Sequence, residues 1–210
     1  MSHQVFAYEI VTPPSGEIIT LDRVKKHLRM TSSQEDDFIM SQIPVARIMC
    51  ENQCGRHFLT TTVQMVLDCF PGSYSYYLPH PLPLMRAPAR EVVSLEYIGS
   101  GEDDYTVMDP SLYTLVGGNL PCVASKDGIW PITNPKRVDA VRVTYKVGFG
   151  PDVEHIDPKY AHLFTLAQAA VAWVAAGLFE QRSYVSAERV YEFDVPTLNV
   201  LAQLDTGAVN

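Results

Sequence analysis

The stretch Asp157-Pro158-Lys159-Tyr160-Ala161-His162-Leu163-Phe164-Thr165-Leu166-Ala167-Gln168-Ala169-Ala170-Val171-Ala172-Trp173-Val174-Ala175-Ala176-Gly177-Leu178-Phe179 decides how this chain is read. Aspartate followed by proline is a helix start: the carboxylate caps, and proline fills the first position, where no backbone donor is needed. Leu163, Leu166, Ala167, Ala170, Val171 and Val174 then recur at helical spacing, which predicts one long Ala-rich helix reaching Phe179. Side chains this small let a neighbouring helix approach closely. Ala167, Ala170, Val171 and Val174 therefore suit a seam between subunits, and they suit a central core helix equally well.

Helical pattern also stands at the other end of the chain. Thr20 is placed to cap a helix in which Leu21, Val24 and Leu28 share a face. Ser32 and Glu35 have capping-box spacing ahead of a second helix, and Asp36 and Asp37 put negative charge where its dipole favours it. Phe38, Ile39, Ile43, Ala46, Ile48 and Met49 carry the apolar stripe on to Cys54, and Gly55 is the stop. Pro44 lies inside and predicts a kink or a division.

Between the helical ends the period changes from helix to strand. Val63, Met65, Leu67 and Cys69 alternate with Gln64 and Asp68, and Val141, Val143, Tyr145 and Val147 alternate again as a final strand. Short strands are predicted at Tyr74–Leu78, Val92–Ile98, Tyr105–Met108, Tyr113–Val116 and Leu120–Ala124, with Gly117-Gly118-Asn119 as a hairpin turn. The proline-rich run from Pro79 to Pro88, with Pro81, Leu82, Pro83 and Leu84 at its centre, reads as an exposed contact loop or as a rigid edge connection.

The fold class is thus α+β: a small helical bundle of two N-terminal helices and one long C-terminal helix, with an inserted antiparallel β meander or barrel and an extended C-terminal arm. The divisions fall at 1–58 for the N-terminal helical part, 59–152 for the β insertion, 153–182 for the long helix and 183–210 for the arm. In the arm, Pro196 can start a short helix with Leu198, Leu201 and Leu204 on one side. Such a helix cannot bury its face alone and needs a groove, on its own domain or on another chain.

Composition narrows the function classes. Across 210 residues, 47% are hydrophobic and 19% charged, enough for a real core, and the net charge of −8 argues against a surface that grips phosphates throughout. No apolar run is read as a membrane span, and Met1 to Tyr8 lack the regions of a signal peptide, so a soluble chain made in the cytoplasm is expected. Cys50, Cys54 and His57 match no zinc-knuckle spacing, and Cys50, Cys54, Cys69 and Cys122 are read as reduced thiols. Gly148-Phe149-Gly150 is followed by Pro151 and fits no nucleotide-binding loop. The acidic runs Glu35-Asp36-Asp37 and Glu102-Asp103-Asp104 read as helix-start charge and a solvated turn. No catalytic, cofactor or metal residues are assigned.

The order of these motifs resembles the head–tail connector (adaptor) proteins of tailed bacteriophages. The likeness runs through Ile19–Arg29, Glu35–Ile39, Gly55-Arg56, Leu78-Pro79, Val92–Ile98, Trp130-Pro131 and Val143–Gly150 to Val195–Leu204, spanning most of the chain. It implies a non-enzymatic virion subunit without cofactor, made in the host cytoplasm and placed in the neck between head and tail. It implies a homo-oligomeric ring, expected to be twelve-fold, beneath the portal protein, with DNA passing without sequence-specific binding and no membrane. By position, Val195, Pro196, Leu198, Leu201 and Leu204 would dock on the portal, and another surface would meet the next neck or tail protein. The finish Asp205–Asn210 departs from the basic or aromatic ending of such proteins. Two other classes fit less of the pattern: a tail-completion or stopper protein, and a carbohydrate-binding module using Tyr74, Tyr76 and Tyr77.

Overall fold

The computed structural model describes residues 5–72, 80–181 and 193–205. The expected strand at Tyr74–Leu78 and the three tyrosines lie outside them, as does most of the polar stretch before the last helix. The chain is α+β and divides into two compact units. One takes Met1–Pro13 with Thr60–Gly148, the other Pro14–Leu59 with Phe149–Thr206.

In the first unit, strands β1 (Val5–Thr12), β2 (Thr61–Leu67), β4 (Ala89–Tyr97), β5 (Thr106–Val107) and β8 (Val141–Val147) form an antiparallel sheet of order β1-β2-β8-β4-β5. A second sheet runs β3-β7-β6, from Leu82–Pro83, Cys122–Ser125 and Tyr113–Val116. Strict alternation in β2 and β8 buries Val63, Met65, Leu67, Val141, Val143, Tyr145 and Val147 on one face. The other face carries ion pairs: Lys146 pairs with Glu91 at 2.9 Å and Arg142 with Glu96 at 3.6 Å, each directly across the β4–β8 ladder. Phe70 stacks on Trp130 (4.6 Å between ring centroids) in the same core.

Two expectations are corrected by this topology. Strand β8 enters between β2 and β4, so the sheet is not a sequential meander, and among the described residues neither sheet closes into a barrel. The N-terminal part, expected to be helical, opens instead with strand β1. Its residues, Val-Phe-Ala-Tyr-Glu-Ile-Val-Thr, are mostly β-branched or aromatic, and they pair along the edge of β2.

The second unit holds α1 (Leu21–Leu28), α2 (Asp36–Cys54), α3 (Ala161–Glu180) and α4 (Val195–Leu204). Thr20 caps α1, its hydroxyl accepting from the Arg23 amide at 3.4 Å, and Gly55 ends α2 at φ 66°. The Ser32 capping box does not form. Ser32 accepts from the Gln34 amide in a turn of its own, and α2 begins later, after Glu35. Pro44 does not divide α2, which runs on as one helix to Cys54. Asp157 caps the short 3-10 turn Pro158–Tyr160 rather than the long helix, which follows at Ala161.

Helix α3 packs chiefly on α2, with α4 and α1 against it. Helical residues Pro158–Glu180 are long and apolar enough to cross a membrane by length and composition, contrary to the sequence reading, and half of that span is buried inside the unit. Phe164, Ala167, Ala170, Val171 and Val174 have their apolar surface covered by the unit's own core. Each fully buried valine or phenylalanine in such a core contributes about 1.5–3 kcal/mol.

Gly148-Phe149-Gly150 has a packing explanation. Gly148 takes φ 121°, which favours glycine, and Phe149 is fully buried, stacking on Phe58 at 6.0 Å. A methyl group on Gly150 would collide with the His155 carbonyl and the Ile156 backbone.

Candidate functional site

The site built upward from the sequence is the last helix and its seat. Asp194 caps α4, accepting from the Thr197 amide at 3.1 Å, and Pro196 sits in the first turn. Thr197, Leu201 and Leu204 recur at helical spacing and are buried; the two leucines belong to the core shared with α2 and α3. The outward face differs: Val195 is 69% exposed and Leu198 40%. The five residues expected to dock thus divide into an anchored pair, Leu201 and Leu204, and an exposed set, Val195, Pro196 and Leu198.

The C-terminal end of α4 rests on Arg56. This side chain is almost wholly buried, and its Nε donates to the Leu204 carbonyl. Four carbonyls at a helix end lack intrahelical partners, and a cation is favoured there by the dipole. Burial pushes the Arg56 pKa down, with the nearby Cys54, Tyr160 and Asp205 opposing it.

A second polar centre, missed from sequence, lies along α2. Arg47 donates to both carboxylate oxygens of Glu17 (2.8 and 3.2 Å) and to Glu51 at 3.0 Å. Glu51 also accepts from the Phe58 amide at 2.9 Å and lies 3.2 Å from His57 Nδ1. Burial works against the charge on Arg47, yet the Glu17 hydrogen bond and the Glu51 and Glu17 charges outweigh it and hold its pKa above the ordinary value. The available signal was an Arg and a Glu four residues apart amid apolar helix positions.

The other candidates are placed as follows. Ala167, Ala170, Val171 and Val174 are fully buried within the chain's own helical unit, so their surface is not available for a seam. Leu82 and Leu84 are buried while Pro81 and Pro83 face outward. Leu82–Pro83 is an edge strand paired to β7, so the run is an edge connection rather than a loop exposed throughout. A cavity of about 260 Å³ lies beside it, lined by Pro81, Val116, Cys122, Ala124 and Trp130 among others, almost entirely apolar. Cys50 and Cys54 are buried in the helical core. Among the described residues, no group of three or more His, Cys, Asp or Glu side chains is placed to hold a metal ion.

The region built around α1, α2 and Arg56 has known relatives. Residues 18–80 match the phage gp6-like head-tail connector protein family. The resemblance read from the sequence holds over this stretch, which takes in α1, α2, the Arg47–Glu51 pair and Arg56. No protein of curated function matches the chain. Among solved structures, a chain from the virion of a native gene transfer agent (GTA) particle is similar with a TM-score of 0.71 and 18% identity, over 98% of each chain. A chain from the neck of an empty GTA particle, computed with C6 symmetry, gives the same values. One from the neck of a native GTA particle, computed with C12 symmetry, gives 0.68 and 16%. At these identities the likeness is one of fold, and it extends over both units.

Proposed function

We propose that the chain is a structural head–tail connector subunit, located in the neck of a tailed phage or phage-like particle. The observation that carries this reading is the family match at 18–80, set within a fold shared along 98% of the chain with proteins from the neck of such particles. The neck structures computed with C6 and C12 symmetry support a ring of copies, with twelve as the expected number. In this reading the helical unit is the body of the ring and the β unit is an inserted module presenting contacts to neighbours in the neck. The net charge of −8 suits a channel that lets DNA pass, because an acidic wall offers phosphates no ion pairs. The chain works by assembly, without catalysis or cofactor.

The portal protein is the proposed partner of residues 183–210, through Val195, Pro196, Leu198, Leu201 and Leu204. Contacts by Val195, Pro196 and Leu198 leave α4 on its seat. Contacts by Leu201 and Leu204 require α4 to leave it and expose the Arg56 guanidinium. The reading is tested by mass: light scattering on the purified chain, alone and mixed with its portal, with electron microscopy of any complex. A ring mass in either condition and a portal-bound complex are the expected results. A chain that stays monomeric in both and never binds portal overturns the reading.

A further inference from the structure

We infer that the outward row of α2, formed by Phe38, Val45 and Ile48, is the seam where one copy of this chain meets the next. The inference rests on the ring reading above and names a contact that makes the ring. Phe38 is 37% exposed, Val45 44% and Ile48 48%, on a helix whose opposite side, with Ile39, Ile43, Ala46 and Cys50, is in the core. Val45 and Ile48 are large apolar residues held in water by a rigid element, while Phe38, at one end of the row, leans on the Phe179 ring of α3 with 6.0 Å between centroids. With Ser41 and Asn52 they fall at alternating spacings of three and four residues, the repeat that keeps one row of a helix facing a partner helix. From Phe38 to Asn52 the row runs about 21 Å, long enough for a helix-on-helix contact.

A ring requires that copies meet, which makes a second copy the partner, and charge permits the contact here. At −8, two copies repel wherever acidic surfaces meet, so self-association is favoured along a row without charge. Helix α2 carries Asp36, Asp37, Arg47 and Glu51. Arg47 and Glu51 are buried in an ion pair, Asp36 is paired with Lys25 at 2.6 Å, and Asp37 lies at the helix start. From Phe38 onward the outward row is therefore uncharged. A second acidic copy therefore meets no like charge along this row. In a ring the contact is head-to-tail, so this row meets a different surface of the neighbouring copy.

The test uses the full-length chain with Val45→Asp and Ile48→Asp together, and Val107→Asp as the control. Val107 is an equally apolar and more exposed residue of the β unit, outside the proposed seam. Mass is measured by light scattering alone and with portal, and far-UV circular dichroism with the thermal midpoint checks the fold. The expected result is that wild type and Val107→Asp assemble while the α2 double variant remains a folded monomer. If the aspartates unfold the chain, Ile48→Cys replaces them: alkylation of the introduced thiol should slow at least tenfold on assembly. A double variant that assembles like wild type, or an introduced thiol equally reactive in both states, overturns the seam. Wild type that assembles in neither condition overturns the ring reading, and the seam with it.

Discussion

Arg56 carries more of the fold than one hydrogen bond suggests. Its guanidinium joins the segment after α2 to the end of α4, which lies 148 residues further along the chain. Arg56→Ala removes a charged donor and leaves space behind, so we expect a loss of about 2–4 kcal/mol in denaturant unfolding. Amide exchange at 195–204 should rise before exchange elsewhere in the helical unit. Glu51→Gln tests the second centre: it keeps the shape but leaves Arg47 with one anionic partner, Glu17, at a cost of about 3 kcal/mol. Gly150→Ala, which would meet backbone at His155, should cost about 1–3 kcal/mol although alanine is the smaller perturbation elsewhere. The thiols give a pH prediction. Burial raises the Cys69 pKa to about 11, helped by the charge and hydrogen bond of Asp68, and burial raises that of Cys50 further. A raised thiol pKa lowers the thiolate fraction at pH 8, so Cys69 should alkylate on the order of 100-fold more slowly than a model thiol. Its rate should climb as pH approaches 11, while Cys50 stays unmodified until the chain unfolds. Mass spectrometry after timed iodoacetamide treatment reads both.

Helix α4 has two faces with different consequences for mutation. Leu204→Ala opens a cavity in the helical core and should cost about 2–5 kcal/mol, whereas Val195→Ala and Leu198→Ala should stay within about 0.5 kcal/mol. If portal docking uses the outward face, the latter pair weakens portal binding without moving the thermal midpoint. If it uses the inward face, Leu201→Ala and Leu204→Ala change binding and stability together. Strand β1 and the edge strand β3 make the contrasting point about legibility. The residues of β1 fit a strand, yet no turn signal before it and no partner nearby in sequence mark it, since β2 lies about fifty residues on. In β3 the prolines suggest an exposed loop, but proline is also tolerated at a sheet edge, where a missing donor does no harm.

At the scale of the molecule, the two units are each assembled from distant parts of the chain. The β unit closes only when β1, β2 and β8 meet, and the helical unit only when α2 meets α3 and α4. In the proposed ring, assembly of copies adds a further constraint, because an acidic chain must bring like charges together. For the ring we expect salt to strengthen assembly: raising it from about 50 to about 500 mM should screen repulsion between copies at −8 and leave apolar contacts intact. Sedimentation or light scattering across that range measures the shift. Assembly that weakens steeply with salt would mean that ion pairs hold the seam.

Sequence alone determined the properties that depend on neighbours a few residues away. Helical and strand periods, the Thr20 cap, the Gly55 stop and the apolar Ala167–Val174 face are written in local spacing, and the structure keeps them. The connector resemblance was legible for the same reason, as an ordered set of local motifs. Tertiary structure decided what depends on partners far along the chain: the place of β8 within the sheet, the burial of Arg47 and Glu51, and the capture of α4 by Arg56. It also decided which apolar face is core and which is surface. An amphipathic or Ala-rich helix states that a face must be buried, but only packing shows against what. Here it turned the small-residue face of α3 inward and left Val45 and Ile48 of α2 outside.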